Sequence, residues 1–252
     1  MLPALALAAA LAAAPAAPPP NPYVRGLDAP VRRVVRTIGT TGDVTPPAPI
    51  VRRCDAYPAH AVLWTENPAL QGVVDVEVRA RPPGTSPEQA CAPTAKGGRR
   101  FKDSDQVYDP IGAIGRHLVT LSPDGIGVLS AFSVVDMDSG ARVLEDQFNV
   151  EKGIDLARAA GGTTISWWTR LDDVPCVPRR GERACWPRIL AAAKVPPDVK
   201  IPQPDCEAIV ARIPSVVEKP YGIIQITVHA RGTLGKPGRE FLADPATCNE
   251  SE

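Results

Sequence analysis

Branched apolar residues alternate with charged ones through Val74-Asp75-Val76-Glu77-Val78-Arg79. A period of two sends successive side chains to opposite faces of a strand, so the valines mark its buried face. Similar runs at His117 to Leu121, Gly127 to Val135 and Ala141 to Phe148 predict three more strands. Between them lie the turns Ser122-Pro123-Asp124-Gly125 and Asp136-Met137-Asp138-Ser139-Gly140. Asp bonds its own backbone and Gly accepts positive φ, so this spacing predicts an antiparallel three-strand meander. Thr163 to Arg170 is rich in Thr, Ile and Trp and reads as a strand. So does Tyr221 to Arg231, with Ile224, Ile226, Val228 and Ala230 on one side and Gln225, Thr227 and His229 on the other. Val31 to Ile38 fits a first strand or a short helix.

Helical signals are short. Ile154 to Ala160 predicts one or two turns, stopped by Gly161-Gly162. Trp186 to Lys194 predicts a helix with Pro187 early, where its missing N–H costs little. Asp205 to Ile213 predicts another, with Asp205 as N-cap. Breakers fill Gly39 to Pro49 and the 80–106 stretch around Cys91. Proline totals 29, about twice the usual share. The expected fold is mainly β with a few short helices: an antiparallel meander core with long Pro-rich loops pinned by disulfides.

The first residues change the picture of where this chain works. An apolar run of about 14 residues, too short to span a bilayer, leads to Ala14-Pro15-Ala16, an A-x-A cleavage pattern. No Lys or Arg precedes it. Three segments are expected: a signal peptide over 1–16, a Pro-rich tether and irregular segment over 17–50, and a β-rich globular region over 51–252. A sub-boundary is placed near 173–204. No later run is long enough for a transmembrane helix. Six cysteines (Cys54, Cys91, Cys176, Cys185, Cys206 and Cys248) form an even set, which in an exported chain reads as disulfides. Pairing in sequence order closes the shortest loops and is the expected connectivity. No C-x-x-C is present, so neither a thioredoxin-like nor a zinc-knuckle reading has support.

Charge narrows the partners. Lys and Arg total 28 against 28 Asp and Glu, without the basic excess of a dedicated nucleic-acid binder. The partner expected is a protein or a small-molecule ligand, and no cofactor is implied. Arginines cluster at Arg32-Arg33, Arg52-Arg53, Arg99-Arg100 and Arg179-Arg180. Converging, they would make an anion-binding face; scattered, they are solvated loops.

Candidate chemistry is sparse. His117 precedes Asp136 and Asp138, with Ser130 and Ser133 between, and a Ser–His–Asp site needs these within hydrogen-bond reach. No G-x-S-x-G elbow accompanies them. Asp136-x-Asp138-x-Gly140 offers two carboxylates to a cation such as calcium, with Glu145 and Asp146 as further oxygen donors. The competing reading is a hairpin turn. Trp167 and Trp168 are adjacent and face opposite ways, and an exposed one is a candidate ligand platform, with plain packing as the competing reading. His229, on the polar face of its strand, is a separate ligand-binding candidate, with polar edge decoration as the competing reading. His60 reads as a solvated loop residue, and Trp186 as a cover for the Cys185 loop.

Tyr57-Pro58-Ala59-His60-Ala61, followed by Gln71 to Val78, resembles the opening of the TonB C-terminal domain, a YP-x-x-A helix leading to a G-x-V-x-V strand. The resemblance covers about twenty residues, the second half of that domain is not evident, and no function is carried over. The functional expectation is an exported, non-enzymatic interaction or ligand-binding protein of the bacterial periplasm or cell surface. An excess of Arg over Lys, 21 to 7, fits a GC-rich bacterial genome. The alternative is an exported hydrolase using His117 with a Ser or Asp partner.

Overall fold

The computed structural model describes residues 21–42, 45–70, 73–95, 97–101, 109–122, 129–171, 174–217 and 224–250. The expected signal peptide and the turn at 123–125 lie outside the described residues. In chain order the elements are β1 (Val24–Arg25), β2 (Arg32–Thr40), β3 (Pro49–Ala56), β4 (His60–Glu66), β5 (Val73–Ala80), α1 (Pro87–Ala90) and β6 (Arg99–Phe101). Next come β7 (Asp109–Ile114), β8 (His117–Leu121), β9 (Leu129–Asp136), β10 (Arg142–Asn149), β11 (Ile154–Ala159) and β12 (Gly162–Leu171). Then follow α2 (Cys185–Ala192), α3 (Glu207–Arg212), a 3₁₀ turn at Pro214–Val217, β13 (Ile224–Thr233), β14 (Glu240–Phe241) and β15 (Thr247–Glu250). The fold is mainly β, with short helices.

These strands build three sheets. The six-stranded sheet runs β1-β11-β12-β13-β14, with β15 also on β13. The four-stranded sheet is β10-β9-β8-β7, and the five-stranded sheet is β2-β3-β4-β5-β6. All pairs are antiparallel except β1 with β11. The predicted meander is β8-β9-β10, extended by β7.

The four-stranded sheet is the middle layer. Every residue of β8 is buried, because alternate side chains enter different cores. Val119 and Leu121 join Phe132, Val134, Phe148, Ile165 and Trp167 in the core shared with the six-stranded sheet. Leu118 and Ala113 point the other way, to Val62, Trp64, Val76 and Val78 of the five-stranded sheet. Phe132 meets Phe148 and Trp167 edge-to-face, with ring centres 5.8 and 5.6 Å apart, the favourable arrangement of ring quadrupoles.

One carboxylate crosses the larger core. Asp146 shares the inward phase of β10 with Leu144 and Phe148. It accepts the Trp167 indole N–H (3.1 Å), the Thr169 hydroxyl (3.1 Å) and the Gln147 backbone N–H (2.8 Å), and it pairs with Arg239. A half-buried carboxylate gains from such compensation, and here the compensation ties the two sheets together.

Disulfides pair Cys54 with Cys91, Cys176 with Cys185 and Cys206 with Cys248, as the sequence order suggested. The first fixes the loop after β5 onto the five-stranded sheet, in a small core with Ala56, Ala61 and Leu63. The others hold the Pro-rich segment and β15 against the main core. Trp186 is buried there and donates to the Ile201 carbonyl (2.8 Å).

Local readings needed correction in four places. Ile154 to Ala159 is a strand, not helical turns: Ile154 and Leu156 are buried while Asp155 and Ala157 are exposed, and pairing with β12 decides the matter. The 80–106 loop contains α1, capped by Ser86, and β6. The Asp205 carboxylate bonds the Glu207 N–H (3.0 Å), but Cys206 holds the cap position. Tyr57 to Ala59 form the β3–β4 connection rather than a helix. At the other end, Gly26 (φ +82°) lets β1 lie so close to β11 that a Cβ there would meet the Leu156 carbonyl oxygen at 1.9 Å.

Asp146→Ala is expected to lower unfolding stability by about 2–3 kcal/mol, because it orphans the buried Trp167 donor. Urea unfolding followed by Trp fluorescence measures this; a loss below about 0.5 kcal/mol would show that Asp146 does not pin the sheets.

Candidate functional site

His117 and Asp136 are directly opposed on β8 and β9. Their nearest side-chain atoms, His117 Nε2 and Asp136 Oδ2, are 4.0 Å apart. Asp136 is occupied by its own turn: Oδ1 accepts the N–H groups of Asp138 (3.1 Å) and Ser139 (2.8 Å) and the Ser139 hydroxyl (3.0 Å). Arg116 Nε lies 2.9 Å from Oδ2. Burial pushes the Asp136 carboxyl upward, but the Ser139 bonds and Arg116 outweigh it, and the group stays below its ordinary range. Asp136 thus organises the β9–β10 hairpin turn. Among the described residues no group of three or more His, Cys, Asp or Glu could hold a metal ion.

The serines do not join His117. Ser133 precedes Asp136 by an odd number of residues and so faces the other side of β9, where its hydroxyl meets that of Thr120 (2.8 Å). Ser130 shares the face of Asp136 but lies about 20 Å along the strand at 3.3 Å per residue. Its hydroxyl donates to the Ser122 carbonyl (2.9 Å). Sheet geometry therefore keeps a triad of these residues from assembling.

His60 is not solvated, as its flanking proline suggested. It opens β4 with a side chain only 5% exposed, and its Nε2 lies 2.8 Å from Asp138 Oδ1. The five-stranded sheet thus touches the β9–β10 turn through a histidine–aspartate contact.

Trp167 and Trp168 separate as expected, one to each face. Trp167 is fully buried. Trp168 lies opposite His229, with parallel rings (2°) and centres 5.2 Å apart. Lys152 Nζ, arriving from the β11 side, is 5.5 Å from the same indole. His229 Nδ1 is 2.6 Å from Asp244 Oδ2. Trp168 is therefore flanked on both sides and belongs to a polar surface cluster rather than an open apolar platform. A cleft of about 200 Å³ on the other face of β12 is lined by Leu144, Ile165, Leu234, Lys236 and Arg239, with Asp146 already taken. It is smaller than the ~300–1,000 Å³ typical of ligand pockets.

Three of the exposed apolar residues lie on β2 or next to it. Val31, just before the strand, and Val35 and Ile38 within it are 57%, 51% and 56% exposed, and every residue from Val35 to Thr40 is exposed. β2 is the outer strand of the five-stranded sheet. Three of the four arginine clusters lie on this sheet without converging, Arg32 and Arg33 on β2, Arg52 and Arg53 on β3, and Arg99 and Arg100 on β6 at the far edge, whereas Arg179 of the fourth lies by Glu207 (3.6 Å). Most are neutralised locally. Arg33 pairs with the buried Asp55, Arg52 with Glu77 (3.1 Å), Arg53 with Glu66 (2.5 Å), and Arg32 approaches Glu88 (3.4 Å). Arg79 also holds Glu77 (2.7 Å), which keeps that carboxyl below its ordinary range. Arg36 has no carboxylate partner among the described residues, although it lies directly opposite Arg52.

The sequence signalled part of this. The arginine pairs were visible and 31–38 fitted either a strand or a short helix; the outer position of β2 was not visible, because nothing local marks β3 and β4 as its neighbours. A continuous apolar run in β4 (Ala61 to Trp64) was the available signal. No family model, curated protein or solved structure matches the chain.

His117 supplies a pH dependence. Burial, aided by Arg116 and opposed by Asp136 and Asp138, lowers its pKa below the ordinary 6.5. As pH falls through 6.5 the unfolded chain takes the proton first, so stability declines until the folded-state value is passed. Melting temperature is expected to fall between pH 7.5 and 5.5, and less steeply in His117→Gln; identical slopes would refute this.

Proposed function

We propose that the chain is exported to the periplasm or surface of a bacterium and acts there by binding a partner rather than by catalysis. The observation that carries the binding reading is the outer strand β2, nine residues long, with Val35 and Ile38 more than half exposed at a sheet edge that has no further paired strand among the described residues. Such an edge is a template for another strand, and proteins usually protect it. Support for export comes from the pairing of all six cysteines, since structural disulfides persist in oxidising compartments. The apolar start with its A-x-A pattern points the same way. No helix among the described residues is long and apolar enough to cross a membrane.

The test is an intact mass of protein from the non-cytoplasmic fraction, alkylated under denaturing conditions without reductant. Loss of the first 16 or 17 residues with no alkyl group added is expected. An uncleaved chain carrying six alkyl groups would overturn the export reading.

A further inference from the structure

Resting on the binding reading, we infer that β2 accepts an extended segment in which acidic and apolar residues alternate, added as a new outer strand to the five-stranded sheet. Three observations carry it. First, β2 is long, lacks proline, and is exposed on both faces from Val35 to Thr40. A bulge between Thr37 and Gly39 limits regular pairing at the far end, leaving Arg32 to Thr37 as the regular template.

Second, the two faces of β2 ask for different side chains. Val35 and Thr37 share one face with their cross-strand partners Arg53 and Val51; Glu66 already holds Arg53 (2.5 Å), so an added strand meets Val35 and Thr37 with apolar groups. Arg36 is on the other face, beside Arg52. Like charges directly opposed across a sheet are unfavourable. Glu77 serves Arg52, whereas Arg36 waits for a carboxylate from outside. An acidic side chain on the added strand opposite Arg36 would supply it, and the period of two makes its sequence neighbours apolar.

Third, the charge pattern argues against a second copy as occupant. Arg32–Thr40 holds three arginines and no carboxylate, so pairing β2 with itself in any register brings no anion to Arg36.

The probe is a fluorescein-labelled octapeptide of alternating Glu and Val, compared with one of alternating Lys and Val. Anisotropy measures affinity on the oxidised protein, and hydrogen exchange locates the protected backbone. The Glu peptide is expected to bind saturably and at least about tenfold tighter than the Lys peptide, a difference of about 1.4 kcal/mol. Its affinity should weaken with salt, and slowed exchange should fall on β2. Arg36→Glu, an exposed change whose fold is checked by circular dichroism, should reverse the preference, while Arg36→Lys should keep it. Equal affinity for both peptides overturns the inference. So does absence of saturable binding up to about 1 mM, protection on a strand other than β2, or self-association through β2 without peptide. If the peptides fail on a protein whose mass shows cleavage and full oxidation, the β2 assignment falls and the export reading stands. If the cysteines are reduced, the export reading falls whatever the peptides do.

Discussion

Asp146 joins two sheets that share the largest core. Its carboxylate sits on an inward position of β10 and is filled by the indole of Trp167, the hydroxyl of Thr169 and the guanidinium of Arg239. A charge in that position is costly unless every lone pair is used, and the partners that use them come from β12 and the residue before β14. The contact therefore fixes how the four-stranded sheet lies on the six-stranded one. With that relation set, Phe132 and Phe148 can meet Trp167 edge-on, and the remaining aliphatic side chains pack around them.

The other face of the four-stranded sheet is covered by the five-stranded one, which explains where polar groups ended up. His117, Asp136 and His60 are buried because they lie on or beside a middle layer. Asp136 serves its own turn, and His60 makes a sheet-to-sheet contact. The outermost strand, β2, escapes this coverage. The Cys54–Cys91 disulfide and the Arg79–Glu77 pair hold the loop after β5 against one face of the sheet, yet that loop does not reach Val35 to Thr40.

Much of the secondary structure was legible because alternation is a local property. Val76 with Val78, Ile224 to Ala230, and the meander followed directly from period two. Cysteine pairing also followed, since loop closure favours near neighbours and the chain order was sufficient here. Ile154 to Ala159 was misread because its two apolar residues are too few to separate a short helix from a strand. Its partner β12 supplies the hydrogen bonds that make it extended.

What the sequence determined by itself was a β-rich chain with an even set of cysteines and no dedicated charge excess, while residues 31–38 fitted either a strand or a short helix. Tertiary structure alone decided which faces were covered. Whether Trp168 lay open or Val35 did, and whether His60 met water or Asp138, depended on which sheet came to rest beside each strand. A strand's alternation marks two faces but does not say how many neighbours it will have. Arg36 differs from Arg33 only in that Asp55 stands across the sheet from one and Arg52 from the other, a distinction made by register and invisible in the linear chain.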